Sequence, residues 1–191
     1  MMYLNSLNPD AFLCDKAKDL RSSISTLIHK VDVGHKLVPS SFYKKKDGHR
    51  NCMKEVMKWK ESFNQLLSSK DGLSAFRTFL KTEFSEENLE FWVACEEYKK
   101  TPSVNKLPAK AQCIFQEFLQ TGAPREVNID HQTREHTRLQ ISAACRNCFD
   151  AAQEQTRILM EKDSYPRFLK SPIYQQMLTQ SSIKKLKFSF T

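Results

Sequence analysis

The sequence predicts an all-α protein, and three observations carry that expectation. The 191 residues include only four glycines, long stretches lack proline, and apolar residues recur at helical spacing over most of the chain. So few glycines also disfavour a β-sandwich or a glycine-rich phosphate loop. With 40% hydrophobic residues and thirteen phenylalanines, the chain can build the core of one ordinary domain plus tails.

The first element expected is an amphipathic helix within residues 1–30. At about 100° per residue, Leu13, Ala17, Leu20, Ile24, Leu27 and Ile28 fall on one stripe, with Lys16 and Arg21 flanking it. Cationic side chains at the edges of an apolar stripe suit a helix lying in a membrane interface, with stems on the apolar surface and charges at the headgroups. Cys14 lies near the same edge, where a palmitoyl group would strengthen attachment, and Cys95 is the other candidate for lipidation. The competing reading docks this helix on the protein's own core. The membrane reading is preferred because residues 31–53, with Gly34, Pro39, Lys44–Lys46 and Asp47-Gly48, read as a linker that isolates it.

Helical periodicity resumes at Lys54 and persists to about Leu178, through the stretches 53–69, 72–84, 85–100, 107–122 and 150–178. The breaks are expected at Asp71-Gly72, Thr101-Pro102-Ser103, Gly122-Ala123-Pro124 and Ser171-Pro172. Residues 54–178 therefore read as a helical bundle. Residues 179–191 form a basic tail that is expected to be mobile, since the chain offers it no packing partner.

The net charge of +8 raises a nucleic-acid reading, and its distribution argues against one. Residues 1–50 carry nine Lys/Arg against five Asp/Glu, residues 164–191 carry five basic residues and no acid, and the span between them carries −1. A near-neutral middle lacks the basic stripe of a DNA-binding domain, whereas basic ends suit an acidic membrane surface or solvent. The six cysteines are scattered and no secretory leader precedes them, which points to a reducing cytosolic setting. Cys145-x-x-Cys148 has no second Cys/His pair at zinc spacing, so no metal site is expected. No apolar run approaches the roughly 18 residues of a membrane span.

Catalytic motifs are equally missing from the sequence: there is no GxxxxGK[ST], GxSxG or HExxH, and the five histidines sit singly. Glu86/Glu87 and Glu96/Glu97 are helix neighbours about 100° apart and cannot flank one bond. No catalytic residue and no cofactor is expected. What remains are three polar stretches at helix boundaries, EFSEEN (83–88), EVNID (126–130) and LMEKDSYPRFL (159–169). In SEENLEFW, Ser85 suits an N-cap, and Glu86 and Glu87 suit the positive end of the helix dipole. Asn88 serves the helix poorly and is expected to serve something outside it. In the third stretch Asp163 and Arg167 are spaced to pair, with Ser164 as a cap and Pro166 near the first turn of the next helix. On chemistry alone, caps and turns account for all three.

Taken together, FLKTEFSEENLEFWVACEEYKK, APREVNID, NCFDAAQ and LMEKDSYPRFLKSPIY resemble the landmarks of the regulator of G-protein signalling (RGS) family, in order and spacing, over about residues 60–178. The short amphipathic lead resembles that of the family's small members. The resemblance implies a nine-helix fold containing a four-helix bundle, and GTPase activation toward heterotrimeric G-protein α subunits, with Gi/o and Gq favoured over Gs. It implies contacts from Glu83, Phe84, Ser85, Glu87 and Asn88, from Asn128, and from Leu159, Asp163, Ser164 and Arg167, with the Asn88 amide pointing outward at the partner. Phe84 stands where the family often has Tyr, and SAACRNCF departs from the usual Pro/Thr-containing loop outside the contact set. Because Gα supplies its own arginine and hydrolyses GTP at about 10⁻² per second, an activator can work by holding the switch segments in their transition-state geometry. The alternative is a Gα-binding scaffold or effector antagonist that does not accelerate hydrolysis. The partners expected are Gα in its GTP or transition state and an anionic membrane at the cytoplasmic face of the plasma membrane, with a monomeric protein and no nucleic acid.

Overall fold

The computed structural model describes residues 49–143 and 145–187, with side chains described for 54–143 and 145–179. Every residue assigned to the membrane-binding helix, Cys14 among them, lies outside the described residues, as does most of the expected linker. Among the described residues the structure is helical and has no strand. The helices are α1 (His49–Glu61), α2 (Phe63–Ser68), α3 (Lys70–Thr82), α4 (Glu87–Lys99), α5 (Leu107–Phe118), α6 (His131–Ile141), α7 (Asp150–Leu159), α8 (Tyr165–Lys170) and α9 (Pro172–Lys187). A 3₁₀ turn at Val104–Lys106 precedes α5, and a π turn at Met160–Ser164 joins α7 to α8.

Several boundaries differ from those the sequence suggests. Helix begins at His49 rather than Lys54, and α9 runs to Lys187, into the stretch read as a tail. The single helix expected over 53–69 is interrupted at Ser62, whose hydroxyl accepts the Asn64 N–H at 3.2 Å and so starts α2. Ser69 does the same for α3, accepting from the Gly72 N–H at 3.1 Å. Asp71-Gly72 is therefore no break but the first turn of α3. Glycine is required there because a Cβ would sit 2.4 Å from the Leu66 carbonyl oxygen. Helix α6 was not expected at all. Its sequence HQTREHTRLQI has no apolar stripe and buries only Thr137 and Ile141, so its start is fixed by a cap rather than a core face.

Two compact units emerge, one of Glu90–Thr156 and the other of the segments up to Leu89 and from Arg157. The second is built on aromatic packing. Phe76 and Phe79 of α3, Phe63 of α2, and Phe168 and Tyr174 of α8 and α9 meet with ring centroids 5.4 to 6.2 Å apart. Each such burial contributes about 1.5–3 kcal/mol. The buried Tyr174 hydroxyl donates to the Val56 carbonyl at 3.2 Å, and Tyr165 donates to that of Trp59, so neither phenol is stranded.

In the first unit, Phe91, Ala94, Cys95 and Tyr98 repeat at helical spacing along α4, and Ala111, Ile114, Phe115 and Phe118 along α5. Phe149 and Ala152 join them, with Phe149 edge-on to Tyr98 at 5.2 Å. Tyr98 donates to the Cys145 carbonyl at 3.1 Å and accepts from the Cys148 thiol at 3.6 Å.

Candidate functional site

The first polar stretch begins where α3 ends. The Ser85 N–H bonds the Leu80 carbonyl at 3.0 Å and the Phe84 N–H bonds that of Lys81 at 3.3 Å. This is the Schellman pattern, and it requires the residue after the cap to take a left-handed backbone, a position usually given to glycine. Phe84 occupies it with φ +52° and leaves its ring 91% exposed. A left-handed non-glycine residue costs on the order of 1 kcal/mol, and an exposed ring recovers none of it within the protein.

Ser85 and Asn88 behave differently from the sequence expectation. Helix α4 starts at Glu87, and the Ser85 hydroxyl, buried, has no hydrogen-bond partner, so it does not cap the helix through its side chain. Asn88 is only 8% exposed rather than outward-pointing, in a first turn of α4 that is covered on several sides, with Leu89 and Glu90 buried as well. Its amide nitrogen donates to the Ser85 carbonyl at 3.2 Å and to Glu87 Oε1 at 2.9 Å. Its carbonyl oxygen is buried with no partner. A buried polar atom left this way costs about 1–3 kcal/mol, and such atoms ask for an explanation.

The third stretch lies in the same unit. The widened π turn, a geometry common at functional sites, buries Met160 and Ser164 and leaves Asp163 and Arg167 exposed. The pairing expected of Asp163 with Arg167 is present. Arg167 also clasps Glu83 of the first stretch, Nη2 to Oε2 at 2.8 Å and Nε to Oε1 at 3.0 Å. Glu83 first and Asp163 second hold its guanidinium well above its ordinary pKa. Ser164 makes no capping bond, since its own backbone is already helical at φ −72°, ψ −39°. Leu159, at the end of α7, is 37% exposed.

The second stretch belongs to the other unit. Val127 and Ile129 are buried, and the alternation leaves Asn128 between them exposed. The Ile129 N–H closes a tight turn onto the Val127 carbonyl at 3.1 Å, and the Val127 N–H bonds the Phe118 carbonyl at 2.9 Å. Upstream, Arg125 pairs with the buried Glu90 and Glu117 and lies 4.8 Å over the Phe118 ring. Downstream, Asp130 caps α6 by accepting from the Thr133 N–H at 2.7 Å, and Gln155 both donates to its carboxylate and accepts its N–H. These hydrogen bonds, Gln155 first, hold the Asp130 carboxyl down at about 2. Sequence reading finds neither Arg125 nor Gln155, whose partners lie 8 to 35 and 25 positions away.

Among the described residues, no group of three or more His, Cys, Asp or Glu side chains is placed to hold a metal. Cys148 is buried, and burial pushes its thiol up to about 11. Cys95 is wholly buried, and burial raises its thiol too, so acylation at Cys95 would require α4 to open. No helix among the described residues is long and apolar enough to cross a membrane.

The family model for the regulator of G protein signaling domain matches residues 62–177. Regulator of G-protein signaling 16 of Sus scrofa is 53% identical over 175 residues, spanning 88% of this chain and 86% of its own length. The Homo sapiens protein of that name is 51% identical over 172 residues, covering 88% and 85%. Regulator of G-protein signaling 8 of Mus musculus is 60% identical over 132 residues, covering 69% and 73%.

Proposed function

This chain belongs to the regulator of G-protein signalling family, and from that premise we propose that it activates GTP hydrolysis by heterotrimeric G-protein α subunits. The observation that carries the reading is the first loop. Phe84 adopts an unfavourable backbone to display its ring, and beside it the Ser85 hydroxyl and the Asn88 carbonyl oxygen lack partners. These costs are understandable where a second protein supplies the missing contacts.

Activation in this account needs no chemical group from the activator. Gα already carries its arginine and positions its own water. What the activator adds is binding that is stronger in the transition state than in the ground state, each tenfold of rate requiring about 1.4 kcal/mol of such difference. Glu83, held by Arg167, joins Phe84, Ser85, Glu87 and Asn88 against one part of the switch segments, with Leu159, Asp163 and Ser164 beside them. Asn128 contacts the switch that carries the water-orienting glutamine. The activator has no catalysis of its own and acts as a monomer.

We further infer that residues 1–30 attach the protein to the anionic cytoplasmic face of the plasma membrane, with Cys14 as the acylated cysteine. The stripe Leu13 to Ile28 and its cationic flanks support this. Replacing Leu20 and Ile24 with Asp should release the protein from anionic vesicles while activity on Gα in solution stays close to wild type.

The test of the main reading is single-turnover GTP hydrolysis by Gα of the Gi/o, Gq and Gs classes, with and without the protein. Acceleration is expected for Gi/o and Gq. Tight binding without acceleration would favour a scaffold or effector antagonist instead.

A further inference from the structure

Asn128 sits in a loop held by backbone hydrogen bonds at Val127 and Ile129 and by a side-chain tie through Glu126 and Arg134. The chain turns at Gly122, which has a left-handed φ of +75°. Four residues later, Glu126 reaches back to that turn, one carboxylate oxygen accepting the Gly122 N–H at 2.8 Å. The other oxygen accepts from Arg134 Nη2, also at 2.8 Å. Arg134 lies in the first turn of α6, and its own N–H bonds the Asp130 carbonyl at 3.1 Å. Its guanidinium is mostly covered, and its Nε is buried with no partner. An exposed arginine would solvate that N–H, so the side chain is held where its own hydrogen bonding is incomplete.

We propose that Arg134 is a positioning residue for Asn128, acting through Glu126 and the Gly122 turn. The inference rests on the reading of Asn128 as a Gα contact. The backbone bonds at Val127 and Ile129 fix the two residues that flank Asn128, and the Asp130 cap fixes the far end. The near end, residues 122–126, is held at Arg125 by Glu90 and Glu117, and the Arg134–Glu126–Gly122 chain ties the residue next to it, Glu126, to both the Gly122 turn and α6. Without it the near end gains freedom, and a contact that depends on orientation weakens even though the fold survives.

The test is a double-mutant cycle on the full chain, read by acceleration of single-turnover hydrolysis and by affinity for Gα with GDP and aluminium fluoride. The variants are Arg134→Ala, Asn128→Ala and the pair together, with Arg134→Lys as the conservative change. Arg134→Ala should lower acceleration about fivefold, and Arg134→Lys should recover part of it, because an ammonium can still pair with Glu126. In the Asn128→Ala background the same arginine change should cost less than about twofold, since its route to the partner is already gone. The same loss with and without Asn128, or no loss at all, would overturn the proposal and leave the activator reading intact. A fully active Asn128→Ala would overturn the contact reading and the inference together, which separates the two failures. If Arg134→Ala does not fold, as judged by circular dichroism and melting temperature, Glu126→Gln carries the same cycle.

Discussion

The two loops at 83–88 and 126–130 present polar residues in opposite ways. The first is locally unfinished: Phe84 sits in a backbone region meant for glycine, and the Ser85 and Asn88 oxygens are buried without partners. The second is finished, with its backbone N–H groups bonded at Val127, Ile129 and Asp130, the Asp130 carboxylate saturated by Gln155 and Thr133, and the Asn128 side chain displayed to solvent between two buried neighbours. The difference teaches that a binding surface can be prepared either by withholding local satisfaction or by rigid display. The first way costs stability in the free protein that a partner returns. The second lowers the ordering cost of association.

The largest expected effect comes from undermining one loop's foundation. Phe168 is wholly buried and packs on Phe76 and Phe79 of α3, the helix whose end makes the first loop. Phe168→Ala should cost about 3–5 kcal/mol by denaturant unfolding. At temperatures where the variant remains folded, Gα affinity should still be reduced. Unreduced affinity there would mean that the first loop does not depend on this core. Next, Asn128→Ala should lower activation about tenfold with its melting temperature near wild type, because the exposed side chain supports nothing else.

A smaller effect should have opposite signs for stability and function. Phe84→Gly relieves the left-handed strain and should raise stability by on the order of 1 kcal/mol, while removal of the ring weakens Gα binding. Loss of stability in that variant would show that Phe84 is at ease where it is. The smallest concerns the finished loop alone. The Asp130 carboxyl is depressed from about 3.9 in an unfolded chain to about 2 when folded. Its contribution is thus present above about pH 4 and lost as pH falls through about 2. Asp130→Asn keeps one capping oxygen but not the charge, so the variant should be less stable than wild type at neutral pH, and the difference should close as pH falls through about 2. The carboxyl carbon resonance of Asp130, followed by NMR, should titrate near 2.

How much of this was legible in the sequence follows from how local each cause is. Helices α3 and α5 were legible because their apolar residues repeat along one face, α4 because a polar start leads into an apolar run free of glycine and proline, and Asn128 was conspicuous in a polar stretch at a helix boundary. The Asp163–Arg167 pair was legible because four residues make one helical turn. Helix α6 was not, because a polar segment started by Asp130 lacks the stripe that periodicity detects. Gly72 looked like a turn because close approach to Leu66 and a left-handed backbone select the same residue. Asn88 looked exposed because nothing in SEEN reveals that its oxygen is buried. The Arg167–Glu83 clasp joins residues 84 positions apart, a distance no spacing rule spans.

The measurement that tests the central claim most directly is the affinity of the protein for Gα in three nucleotide states. The account predicts that Gα with GDP and aluminium fluoride binds most tightly, a GTP analogue less so and GDP least, with the gap between the first two tracking the rate gain. Equal affinity for all three states would contradict it.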